Sequence, residues 1–261
     1  MGDTPTPVRL YVHDDLTEDV RERHGAGSSA FALAQELMAL VRRDDRVTVL
    51  TLRGQIEALA ARGGHAPFAL AVGIGRAGER VARQVHARTG WFPVVRRVDL
   101  TREEDGHGGY SVVSPTGVPL PEQLAGVEAA GTLAVVDDTI FSGITMRQVL
   151  EALSPAVRAR THAFCLRAVA ESLPPLRALC PVTPGFTAPG RLLDEVSFIN
   201  ASGLVRRGAI RRTGLPPLAF FERPEWMRAW FPDHADTAID LCRRLNLLLE
   251  PTGAPSLPAT V

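Results

Sequence analysis

Apolar residues in this chain gather into two kinds of run. Short runs without polar alternation stand at 68–72 (F-A-L-A-V), 92–98, 133–136 (L-A-V-V) and 162–169, and each suits a strand of a parallel sheet covered on both faces. Between them lie stretches with one apolar face at helical spacing. One spans 79–88; another follows residue 145 and sets Met146, Val149, Leu150 and Leu153 on one side. Strands alternating with helices in this way predict an α/β fold, a parallel sheet flanked by helices.

The regions on either side of that alternation read differently. Residues 8–12 and 47–52 suggest short strands, and Ser28 or Ser29 can cap a helix to about Arg43, with Phe31, Ala34, Leu37, Met38 and Val41 on its buried face. Residues 55–62 suggest a helix closed by Gly63 and Gly64. After the core, Pro174, Pro175, Pro181, Pro184 and Pro189 are expected to interrupt regular structure, with a strand at 195–200 and a turn at 200–203. Phe220, Phe221, Trp226, Trp230 and Phe231 are five of the fifteen aromatics and should cover core or an interface; a homodimer is an allowed assembly. Asp233 can cap a last helix to Leu249. The expected organisation is a flap or hood over 1–66, an α/β core over 67–170, a C-terminal hood and helices over 171–250, and a disordered tail over 251–261.

One long stretch inside the core, 100–128, loses periodicity. A gap of that length in a compact domain suggests a functional lid or disorder, with a solvated hairpin as the plain alternative. Its charged cluster runs from Arg102 through Glu103, Glu104 and Asp105 to His107.

Composition removes several classes of chemistry. The 29 basic residues are all arginine, because the chain has no lysine, so Schiff-base catalysis and a phosphate-binding P-loop lysine are excluded. Basic and acidic residues balance to zero net charge, which makes nucleic acid an unexpected partner, apart from a local patch at Arg206, Arg207, Arg211 and Arg212. The three cysteines are odd in number and unpaired in spacing, as free thiols in a reducing compartment would be. No stretch has the apolar length of a membrane span or a signal peptide, so a cytoplasmic location without membrane attachment is expected.

The candidate chemistry centres on 131–153. The apolar run ends in Asp137 and Asp138; Thr139, Phe141, Ser142, Gly143, Ile144 and Thr145 follow, and then the helical face begins. Free amides at the first turn of a helix, aided by its dipole and by the two hydroxyls, suit a phosphate. Adjacent carboxylates would repel that phosphate unless a hydrogen-bond donor or a cation lay between. A ribose diol is such a donor, and a divalent cation could neutralise the remaining charge. An ordinary strand ending in a turn and a capped helix remains the plain alternative.

The stretch V-V-D-D-T-I-F-S-G-I-T, Val135 to Thr145, resembles the phosphoribosyl-pyrophosphate (PRPP) signature of the type I phosphoribosyltransferases. The resemblance implies that Asp137 and Asp138 hold the ribose hydroxyls and Mg²⁺, and that residues 139–145 wrap the 5-phosphate. It further implies that Gly75-Arg76-Ala77-Gly78 meets the pyrophosphate and that the 100–128 stretch closes over PRPP, with Arg102 and His107 touching the pyrophosphate. The implied reaction is transfer of the phosphoribosyl group to an acceptor, with release of pyrophosphate. Purine-salvage members carry an acid where Phe141 stands here, and orotate members use lid lysines that this chain lacks; the acceptor is therefore open. The fourth strand carries Arg167 where it would face an acceptor.

Two rival readings stand beside this one. Gly73-Ile74-Gly75-Arg76-Ala77-Gly78 also spells the dinucleotide fingerprint G-x-G-x-x-G, with Asp99 about twenty residues beyond, which would fit an oxidoreductase. A regulator that senses PRPP and binds nucleic acid without catalysis is the other.

Overall fold

A computed structural model describes residues 9–104, 109–189 and 198–250. The chain forms two compact units: Met1–Leu52 with Gly190–Val261, and Arg53–Pro189. The second takes in segments on both sides of the 67–170 stretch on which the core was expected.

The first unit opens with β1 (Leu10–His13), α1 (Leu16–His24), α2 (Ser29–Val41) and β2 (Val47–Leu50). Ser28 caps α2 by accepting from the Phe31 amide at 3.1 Å, as its sequence promised.

The second unit begins with α3 (Leu52–Ala60), β3 (Leu70–Ile74), α4 (Gly75–Thr89) and β4 (Val95–Val98). The hairpin of β5 (Thr101–Glu104) and β6 (Tyr110–Val113) and the short α5 (Leu120–Gln123) follow, ahead of β7 (Leu133–Ile140), α6 (Ile144–Ala152) and α7 (Pro155–Arg158). It closes with β8 (Thr161–Val169), α8 (Leu173–Arg177) and β9 (Val182–Ala188). Strands β4, β3, β7, β8 and β9 lie in that order in a parallel five-stranded sheet flanked by helices. This is the α/β architecture that the apolar runs predict. Leu133 to Val136 are fully buried in the middle of that sheet, which is why no polar residue interrupts them.

The expected elements differ from the observed ones where proline and glycine act. β4 starts at Val95 and not at 92, because Pro93 has no amide to give to the sheet; Trp91 and Phe92 pack as buried rings ahead of it. The prolines after 170 do not end the core. Pro174 and Pro175 sit in the first turn of α8, and Pro184 lies in β9, an edge strand that tolerates a missing donor. α4 starts at Gly75, four residues before the expected 79, so that Arg76, Ala77 and Gly78 belong to its first turn.

The first unit resumes with β10 (Phe198–Asn200), α9 (Ala201–Val205), the hairpin of β11 (Ile210–Arg212) and β12 (Leu215–Leu218), α10 (Pro224–Trp230) and α11 (Ala235–Leu249). β1 pairs in parallel with both β10 and β2. α9 replaces the turn expected at 200–203; the Ser202 amide donates to Asp15 Oδ1 at 2.8 Å in its first turn. Phe220, Trp226 and Trp230 form one ring cluster, with Trp226 and Trp230 centroids 5.8 Å apart, and Phe221, Trp230 and Phe231 are buried in this unit's core. The last helix takes His234 as its N-cap residue instead of Asp233. The expected tail at 251–261 lies outside the described residues. Among those described, no helix is long and apolar enough to cross a membrane.

Candidate functional site

The candidate residues collect in the second unit, at the carboxyl end of its sheet. The strand β7 runs four residues past its apolar stretch, so Asp137, Asp138 and Thr139 are still strand residues, half-buried, before Phe141 and Ser142 turn the chain. Gly143 ends the turn with φ +76°, a conformation that suits glycine, and serves as N-cap residue of α6. No side chain caps α6, so the amides of its first turn have no side-chain acceptor there. Ser142, which would cap this helix if the stretch were only a strand, a turn and a helix, is exposed and does not fill that role. The turn is braced from outside: Ser172 donates its hydroxyl hydrogen to the Phe141 carbonyl.

The first turn of α4 meets the same place. A Cβ on Gly78 would lie 2.4 Å from the Val136 carbonyl oxygen and 3.3 Å from Asp137 Cα, so only glycine lets the helix approach β7 this closely. Gly75-Arg76-Ala77-Gly78 and the acid pair are therefore neighbours, with Arg76 and Ala77 exposed to solvent. This helix end also has no side-chain cap.

The two acids have different surroundings. Asp138 Oδ2 accepts from Arg167 Nη2 at 3.1 Å and from Thr139 Oγ1 at 3.1 Å. Asp137 Oδ1 accepts from the Asp138 amide at 2.8 Å. Burial, and then the Asp138 charge, push the Asp137 carboxyl well above the usual carboxylate range, while the positive charge of Arg102 pulls the other way. Arg102, on β5, has its guanidinium carbon 5.7 Å from the Phe141 ring centre and 5.6 Å from that of Tyr110. The lid stretch is thus brought to the signature at Arg102; His107 lies outside the described residues.

Two features departed from the sequence reading. Arg167 does not face an open pocket. It is completely buried, and its Nη1 donates to Gln55 Oε1 at 3.0 Å. Gln55, itself buried on α3, had no signal in the sequence; a lone arginine inside the apolar run of β8 was the sign that a counter-charge had to stand beside it. The arginine patch considered for nucleic acid is partly spent: Arg206 pairs with Asp19, Arg207 with Glu222 at 3.0 Å, and Arg212 donates to the Pro216 carbonyl at 3.0 Å. The cysteine beside Asp137 in the sheet register, Cys165, is fully buried and its thiol is pushed up by that burial, so it offers no nucleophile.

Several solved structures are similar to this chain. A purine phosphoribosyltransferase from Pyrococcus horikoshii is 17% identical, with 58% of this chain and 90% of that one covered at a TM-score of 0.37. An orotate phosphoribosyltransferase from Aeropyrum pernix is 20% identical over 51% of this chain and 69% of its own, at 0.33. The xanthine-guanine-hypoxanthine phosphoribosyltransferase of Helicobacter pylori is 10% identical over 74% and 91%, at 0.33. No protein-family model matches the sequence, and neither does any curated protein. Likenesses this distant fix no residue role.

Proposed function

We propose that this chain is a phosphoribosyltransferase that moves the 5-phosphoribosyl group of PRPP onto a small-molecule acceptor. The observation that carries the reading is the meeting of three features within one unit. These are the acid pair at the tip of β7, the uncapped amides of α6 directly after it, and the glycine-tight first turn of α4 beside it. In this reading the Asp137 and Asp138 carboxylates accept from the ribose 2- and 3-hydroxyls. Residues 139–145 enclose the 5-phosphate with amides and with the hydroxyls of Thr139, Ser142 and Thr145. The turn Gly75-Arg76-Ala77-Gly78 takes the pyrophosphate, with Arg102 as a second positive charge.

Among the described residues no three His, Cys, Asp or Glu side chains converge to cage a metal ion. The donors present are the two carboxylates, which suits Mg²⁺, an ion that keeps several waters and takes further ligands from the phosphates of its substrate. Asp137, which among the described residues has no arginine bonded to it as Asp138 does, is the better placed of the two. When bound, the ion would supply charge neutralisation for the leaving pyrophosphate.

The chemistry is a displacement at C1 of the ribose. The bond from C1 to pyrophosphate oxygen breaks and its electron pair leaves with the pyrophosphate. A lone pair on the acceptor forms the new bond to C1, and the acceptor's proton passes to solvent or to the released pyrophosphate. The protein's residues contribute by holding the sugar and by offsetting the growing negative charge of the departing group. Phe141 stands where a general base could otherwise lie, so the acceptor must be nucleophilic without help from that position. Pyrophosphate release, screened with PRPP and Mg²⁺ against bases, amines and phenols, tests the reading. Release with one acceptor class supports it; absence of release with every class, together with no binding of PRPP, removes it.

A further inference from the structure

Arg167 is the largest completely buried side chain among the described residues, and a buried guanidinium has to be matched by an anion and held by acceptors. It has both. Its Nη2 donates to Asp138 Oδ2 at 3.1 Å and its Nη1 to Gln55 Oε1 at 3.0 Å, so two terminal nitrogens of one rigid plane are fixed by two different elements, β7 and α3. Gln55 is 3% exposed, and its side-chain oxygen holds one terminal nitrogen of the guanidinium.

The consequence falls on Asp138. Turning its carboxylate away would break a charge-assisted hydrogen bond to a buried guanidinium, so that bond favours one orientation of the side chain. Among the described residues Asp137 has no arginine bonded to it; its Oδ1 accepts from the neighbouring Asp138 amide at 2.8 Å. The two acids therefore differ: one is bonded to a buried arginine and the other is not.

We infer that Arg167 and Gln55 are positioning residues for ribose recognition: they touch no substrate, and they hold Asp138 in the orientation in which it receives the sugar hydroxyls. This rests on the phosphoribosyl reading above, and it adds a segment, α3, that the signature does not contain. It also removes Arg167 from the set of residues available to bind an acceptor.

The test uses two variants of the full chain. Gln55→Leu removes the acceptor that orients Arg167 and keeps the volume. Gln55→Glu gives Arg167 a competing carboxylate, preserves a counter-ion for it, and draws it away from Asp138. Binding of PRPP with Mg²⁺ and of inorganic pyrophosphate with Mg²⁺ is measured by calorimetry, together with the melting temperature. Both variants are expected to bind PRPP about tenfold more weakly, the order of one charge-assisted hydrogen bond lost from the ribose, with pyrophosphate binding unchanged. Equal weakening for both ligands, or a fallen melting temperature with no ligand discrimination, would reduce the network to a structural one and overturn the inference. Unchanged PRPP binding in both variants would overturn it too. Failure of the unmodified chain to bind PRPP would instead remove the phosphoribosyl reading itself.

Discussion

The guanidinium of Arg102 sits 5.7 Å from the centre of the Phe141 ring, and so ties the β5–β6 hairpin to the turn that follows the acid pair. Such a contact orients a cation without neutralising it, because the ring offers a quadrupole and no counter-charge. The arginine is left able to meet a phosphate.

Arg102→Gln is therefore expected to weaken PRPP binding about tenfold or more at low salt, since a cation facing a polyphosphate is worth a strong charge-assisted bond. Arg102→Lys should restore part of the loss. Calorimetry at two ionic strengths checks both points: the wild-type affinity should fall with salt more steeply than that of Arg102→Gln. Equal salt slopes would take Arg102 out of the site.

Gly78 lies against a backbone oxygen that cannot move aside. Gly78→Ala would set its methyl 2.4 Å from the Val136 carbonyl oxygen, and is expected to cost at least about 2 kcal/mol of stability, the range of overpacked cores. A urea unfolding curve reads this directly. Gly64→Ala, with nothing near the added methyl, is the control and should leave the midpoint close to wild type.

Much of the fold is legible in the sequence alone, and some of it is not. The parallel sheet was legible because Leu133 to Val136 and the runs beside it are buried on both faces, and burial on both faces leaves an unbroken apolar signature. The acid pair and glycine turn were legible for the opposite reason: Asp137, Asp138 and Gly143 break that signature at one point. The hairpin strand β5 was legible only as an alternative to a lid, since Thr101-Arg102-Glu103-Glu104 is half-buried throughout and carries no apolar alternation to fix its bounds. The start of α4 was hidden because glycines normally end helices, whereas here Gly78 is needed for close approach to β7. Gln55 could not have been found at all. Its partner Arg167 is 112 residues away, and only the folded sheet brings the two together.

His162 gives a prediction in pH. Its ring stacks on Phe164 at 4.4 Å between centroids, and its Nε2 shares a hydrogen bond of 2.8 Å with Thr183 Oγ1. Burial, and then the nearby His65, lower its pKa from the ordinary 6.5 to about 4. The folded pKa is below the unfolded one, so the unfolded chain takes up the proton first as the medium is acidified. The stabilisation is complete above about pH 6.5 and is lost as pH falls through about 4. His162→Gln should flatten the pH dependence of stability over that window, the free energy involved being no more than about 2 kcal/mol once solvent screening of the partly exposed ring is allowed for. Parallel curves for the two proteins would show that His162 is not the titrating group.

The central claim is that the neighbouring acids at the end of β7 clasp a ribose whose phosphate is held by α6. Calorimetric titration of PRPP with Mg²⁺ into the wild-type chain and into Asp137→Asn with Asp138→Asn tests it most directly, with circular dichroism to confirm that the variant is folded. Saturable binding to the wild type and none to the folded variant is the predicted result. Equal affinity for both, or no binding to either, would contradict it.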